Sequence, residues 1–209
     1  LKDCARLRSL QPLAASNSLK QLNLEGCAQI ESLQHLSASE LAPWRYGTFS
    51  LKGCAALTSL EGLPPLSKET TALDLEQMPA LVSLAGIEAA SSIQTLEIHN
   101  TALTDLGGLE KLPSLAELRG VDCHALQDIS VLGQLQKLSQ VRFNDCAQIQ
   151  RLPTQWGHML RTLELTTGKF NALGQLPQGL EQLEVRGVAT LHDLQGVEKA
   201  TALKFAAVD

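Results

Sequence analysis

A repeat solenoid, with one short strand per repeat stacked into a parallel concave sheet, is the fold class that this sequence predicts. Three observations predict it. A six-residue core, Leu22-Asn23-Leu24-Glu25-Gly26-Cys27, recurs along the chain as Phe49-to-Cys54, Leu73-to-Met78, Leu96-to-Thr101, Leu118-to-Cys123, Val141-to-Cys146, Leu163-to-Gly168 and Leu183-to-Val188. Counting partial copies at the two ends, the cores finish at Cys4, Cys27, Cys54, Met78, Thr101, Cys123, Cys146, Gly168, Val188 and Val208, a period of 20 to 27 residues. A unit of that length buries its apolar edge only against its neighbours, so the array forms one continuous domain. Within each core, apolar and polar residues alternate, which is the rhythm of a strand, while the connecting segments are apolar at every third place.

The elements follow in order. In the unit ending at Cys27, Leu22 and Leu24 point inward and Gln21, Asn23 and Glu25 point out. Its return carries Ile30, Leu33 and Leu36. The unit ending at Cys54 is the longest; its surplus, the stretch from Ser39 through Trp44 to Arg45, predicts a loop bulging from the surface, with Trp44 a candidate contact or a plug over the loop's base. The return after Thr101 reads Leu103, Leu106, Leu109, Leu112 and Leu115. A period of three fits 3-10 or irregular turns better than an α-helix of period 3.6. Pro64-Pro65, Gly107-Gly108 and Pro177 also disfavour long helices. Gly120 stands where other units have a large inward residue, and the Phe143 ring one repeat later is expected to fill the space. Trp156 falls on an inward return position. The last copy is Leu203-Lys204-Phe205-Ala206-Ala207-Val208, placing Lys204 at the end of the outward column. Neither terminal copy resembles a polar cap. Residues 1–209 are therefore expected to be one domain of nine to ten units, excised from a longer protein, whose raw ends could self-associate.

The formal net charge of −5 gives no general attraction to phosphate, so nucleic acid is not an expected partner. No apolar run approaches the ~18 residues that would span a bilayer, and no basic-then-apolar leader is visible. Leucine rather than aromatic rings fills the core, since aromatic residues make up 3% of the chain. All five cysteines fall at one repeat position, the turn leaving the strand, facing inward. There a small side chain with a weak donor is well placed. An odd number at one stacked position argues against a disulfide framework, and no C-x-x-C or Cys/His spacing suggests a metal. A reducing, cytoplasmic compartment is expected.

No constellation of residues supports catalysis, and no cofactor is implied. The five histidines share no spacing, and only His99 falls on a concave strand. A nucleophile pair of Cys123 with His99 is defeated by register, since one faces the core and the other solvent. The information lies on the concave face. Its central column reads Asn23, Ser50, Asp74, Glu97, Arg119, Arg142, Glu164, Glu184 and Lys204. Strands ~4.8 Å apart bring each of these beside the next. Glu76, His99 and Asn144 flank the column on one side, Glu117 and Gln140 on the other. Arg119 beside Arg142 is unfavourable by itself. Either Glu97 neutralises Arg119 and Glu164 neutralises Arg142, or the two guanidinium groups clamp an acidic side chain or loop of another protein.

The repeat resembles the leucine-rich repeat superfamily over the whole chain, which implies a right-handed α/β-type superhelix. Leu103-Thr-Asp-Leu106-Gly-Gly-Leu109-Glu-Lys-Leu112 is similar to the internalin-like class with short non-helical returns. Leu22-Asn-Leu24-Glu-Gly-Cys27 also resembles repeats of plant immune receptors. Leu176-Pro-Gln-Gly-Leu180-Glu-Gln-Leu183-Glu-Val185 looks like a unit of bacterial secreted effectors, some of which place such a domain ahead of a ubiquitin ligase. The resemblance implies a protein-binding module without chemistry of its own, from a bacterial effector delivered into a host cell or another intracellular protein. The alternatives are the substrate-recognition or autoinhibitory part of an enzyme, and a structural spacer.

Overall fold

The computed structural model of the chain describes residues 1–15, 22–37 and 49–208. Seven strands, β1 (Ala72–Met78), β2 (Thr95–Thr101), β3 (Glu117–Val121), β4 (Gln140–Asn144), β5 (Thr162–Thr166), β6 (Gln182–Arg186) and β7 (Phe205–Val208), form a single parallel sheet in sequential order. The stacking continues upstream. Asn23 bridges Ser50 in parallel, Leu24 N–H donates to Ser50 O at 3.1 Å, and Gly53 N–H donates to Glu76 O at 2.9 Å, which joins these units to β1. Each strand is one repeat, and the solenoid of leucine-rich repeat type anticipated from the period is the observed architecture.

The alternation within each core decides which face is buried. In β5, Leu163 and Leu165 are buried while Thr162, Glu164 and Thr166 are part-exposed, and β1 to β4 and β6 follow the same rule. Fully burying a leucine contributes roughly 1.5–3 kcal/mol, and each unit contributes two or so from its strand and several from its return. Ile30, Leu33, Leu36, Leu103, Leu106, Leu109, Leu112 and Leu115 all lie in the core. Helical pieces in the returns are short. The 3-10 turns run Gln11–Ala15, Ile87–Ala90, Leu109–Lys111, Ser130–Gln134 and Val197–Lys199, with a four-residue α-helical turn at Gln34–Ser37. Three residues per 3-10 turn keep every third side chain on the inward line, which an α-helix would carry away.

The chain leaves each strand through one left-handed residue. Asp3, Gly26, Gly53, Gln77, Asn100, Asp122, Asp145, Thr167 and Gly187 have φ between 50° and 75°. This explains the Gly, Asn and Asp that dominate the place. The next residue then turns inward, forming a ladder of Cys27, Cys54, Met78, Thr101, Cys123 and Cys146, all buried. The thiols act as donors to the backbone of the neighbouring or own repeat. Cys27 Sγ donates to Leu1 O at 2.9 Å, Cys54 to Leu24 O at 3.3 Å, Cys123 to Ile98 O at 3.3 Å and Cys146 to Asn144 O at 3.3 Å. Burial pushes the Cys54 thiol up to about 12. Contact with Cys123, followed by burial, likewise holds Cys146 protonated. The five thiols are free, with Cys4 less buried than the others.

Gly120 and Phe143 pair as anticipated. They are register partners on β3 and β4, and a Cβ added at Gly120 would stand 2.4 Å from ring carbons of Phe143. Trp156 is core, with Nε1 donating to Leu173 O at 2.8 Å. One expectation is corrected. The final unit runs three residues later than its Leu203-x-Phe205 pattern suggests, because β7 pairs Glu184 with Ala207 and Val185 with Val208. Leu203 completes the three-residue rhythm of the return after Val197 and Ala200, packing partly buried against the core. Lys204 therefore leaves the central column and pairs with Glu181 at 2.6 Å. The expected bulge at Ser39 to Arg45, with Trp44, lies outside the described residues.

Candidate functional site: the concave sheet face

The pairing register sets Asp74 beside Glu97, Glu97 beside Arg119, Arg119 beside Arg142, Arg142 beside Glu164, and Glu164 beside Glu184. Glu76 lies beside His99, and Glu117 beside Gln140. Val121 separates His99 from Asn144 in the flanking row. The sheet thus brings all ten anticipated residues onto one face. Their backbones are fixed by ladder hydrogen bonds, which holds the side chains at set spacings.

Most charges on this face find a partner within it. Lys2 meets Glu25 at 3.1 Å, Lys52 meets Glu76, Arg142 Nε meets Glu164 at 3.4 Å, and Arg186 meets Glu184 at 2.8 Å. Exposed pairs of this kind add only ~0–1 kcal/mol each. They organise charge more than they hold the fold. Gln140, whose part sequence reading did not foresee, braces the centre. Its Oε1 accepts from Arg142 Nη1 at 2.7 Å, and its Nε2 donates to Glu117 Oε1 at 3.3 Å. Asn144 Oδ1 accepts from the Thr166 hydroxyl at 3.1 Å.

Of the two neutralising pairs considered for the arginines, one forms. Arg142 has Glu164, but Glu97 is 3.7 Å from His99 Nε2, on its own strand. Arg119 is exposed and has neither an ion pair nor a side-chain hydrogen bond among the described residues. Asp74 is a second uncommitted charge. Its Oδ1 and His99 Nε2 are buried atoms without a hydrogen-bond partner. Burial, then the Glu76 charge, raises the Asp74 carboxyl above the usual carboxylate value.

Cys123 is in the core, whereas His99 lies on the concave face. Among the described residues no group of three or more His, Cys, Asp or Glu is placed to hold a metal ion. No helix among them is long and apolar enough to cross a membrane.

No protein-family model matches the chain, and no curated protein matches it. Solved structures with similar architecture include the functional domain of InlJ from Listeria monocytogenes, described as including a cysteine ladder. It is 14% identical at a TM-score of 0.49, over 94% of this chain and 60% of that one. Another is the internalin InlF from Listeria monocytogenes strain 4b F2365, 16% identical at a TM-score of 0.47, over 97% of this chain and 64% of that one. The chain thus spans somewhat under two thirds of the length of these two internalin structures.

Proposed function

We propose that this chain is a protein-recognition module that binds its partner on the concave sheet face, where Arg119 and Arg142 take an acidic side chain or loop. The observation that carries this reading is the uncommitted guanidinium of Arg119 at the centre of a face whose other charges are mostly paired. Arg119 and Arg142 are direct neighbours across the ladder, and like charges so placed repel. A carboxylate arriving between them removes that repulsion and gains charge-assisted bonds to a planar fork of donors. Arginines anchored at the middle of an interface are frequent sources of binding energy.

Arg119→Glu tests the reading. Capture of the partner from a native lysate should fall at least tenfold, a loss equivalent to about 1.4 kcal/mol, while circular dichroism and melting stay as in the parent. Arg119→Lys, which keeps the charge but not the fork, should fall between the two. Undiminished capture by Arg119→Glu would place the contact elsewhere.

A further inference from the structure

Away from the concave face, the returns preceding β5, β6 and β7 border an open hollow of about 440 Å³. That volume lies within the range of small-molecule sites. Its floor includes Trp156 and Leu176, both buried. The indole nitrogen is committed to Leu173 O. The walls carry Arg161, Lys199 and the His158 imidazole, together with the amides of Gln155, Gln175 and Gln178. No Asp or Glu lines it, in a chain whose formal net charge is −5.

The polar groups here are uncommitted. The side chains of His158, Lys199 and the three glutamines have no hydrogen-bond or ion-pair partner among the described residues. Arg161 is held in place rather than neutralised. Its Nη1 donates to the carbonyls of His158 at 3.2 Å and Leu160 at 3.3 Å, leaving Nε and Nη2 without partners. Gly179 makes room for that guanidinium, since a Cβ there would stand 2.3 Å from Arg161 Nη1. The acids that could compete are taken. Glu181 is bound by Lys204 at 2.6 Å, and Glu198 accepts the Gly196 N–H at 2.7 Å.

We propose that this hollow binds a small polyhydroxylated molecule bearing a phosphate or carboxylate group. Arg161 and Lys199 hold the anion, and the glutamine amides meet the hydroxyl groups. The site is separate from the concave face and stands or falls independently of the partner proposed there.

Titration of the folded chain with glucose 6-phosphate, glucuronate, inorganic phosphate and glucose, followed by backbone amide chemical shifts, tests it. At least one of the two anionic sugars should give saturable shifts at Gly157, Arg161 and Gly179, and glucose should bind at least tenfold more weakly. Response to glucose 6-phosphate alone identifies a phosphate site, and to glucuronate alone a carboxylate site. Arg161→Gln should weaken the binding at least tenfold. Gly179→Ala, which displaces the guanidinium while leaving its charge, should do likewise and serves if the first variant does not fold. Lys169→Gln, outside the hollow, should leave affinity unchanged. Absence of saturable shifts with either anionic sugar, equal affinity for glucose, binding of inorganic phosphate as tight as that of the sugar phosphate, or parent-like binding by the folded arginine variant would overturn the proposal.

Discussion

Phe143→Ala should destabilise the fold by about 3–5 kcal/mol, the usual result of emptying a fully buried aromatic site. The ring is fully buried and occupies the space that Gly120 leaves on the neighbouring strand. Parallel strands ~4.8 Å apart have little freedom to collapse onto such a void, because their backbones are tied by the ladder. The complementary change, Gly120→Leu, introduces a Cβ that would meet the ring at 2.4 Å. Overpacking of that kind destabilises by about 1–3 kcal/mol or more. The two positions form one volume. The double variant Gly120→Leu with Phe143→Leu should therefore be more stable than the sum of the singles by about 0.5–3 kcal/mol. Thermal melting reads this directly, since each kcal/mol moves the midpoint by about 2–4 °C in a chain of this size. Strict additivity would show that the ring and the glycine do not share a site.

Cys123→Asp should be as damaging, at about 3–5 kcal/mol, because it places an uncompensated charge in the core. The local chemistry makes the sign clear. The Cys123 thiol lies against the carbonyls Ile98 O at 3.3 Å and Val121 O at 3.5 Å, with the Thr101 hydroxyl 3.9 Å away and the Cys146 thiol also in contact. A thiol donates to those carbonyls, whereas a carboxylate has no proton to give them and loses its hydration on burial. Cys123→Asn, which keeps a donor for the carbonyls, should be markedly milder. Glu184→Ala, on the concave face and paired only with the exposed Arg186, should change stability by less than about 0.5 kcal/mol. Similar melting of the Cys123→Asp and Glu184→Ala variants would mean that the inward and outward faces are misassigned.

The strands, their register and the non-helical returns were legible because the repeat writes the same physical constraint many times. A two-residue alternation ending in a small inward residue has only one way to stack. Legibility failed where one repeat departs from the rule. Leu203-x-Phe205 mimics a strand, but Leu203 is required by the return, and the register partners of Leu183 and Val185 are Ala206 and Val208. Phe170 was also unforeseen: its ring fills the space of Gly168, the glycine of the ladder, much as Phe143 fills that of Gly120. The membership of the concave column was readable, yet its pairing was not. Whether Glu97 turns to Arg119 across the ladder or to His99 on its own strand is a choice among side-chain rotamers, and both partners are correctly spaced. The hollow at Arg161 depends on three separate returns meeting at one edge, which no local pattern records.

The central claim, that recognition takes place on the concave face, is tested most directly by site-specific photo-cross-linking. A benzophenone side chain placed at Glu117, exposed beside Arg119 on β3, is compared with one at Gln136, exposed in the return that precedes β4. After irradiation in a native lysate, the protein labelled at position 117 should yield a discrete adduct that Arg119→Glu abolishes, and the one labelled at 136 should yield none. A discrete adduct from position 136, with none from 117, would contradict the account.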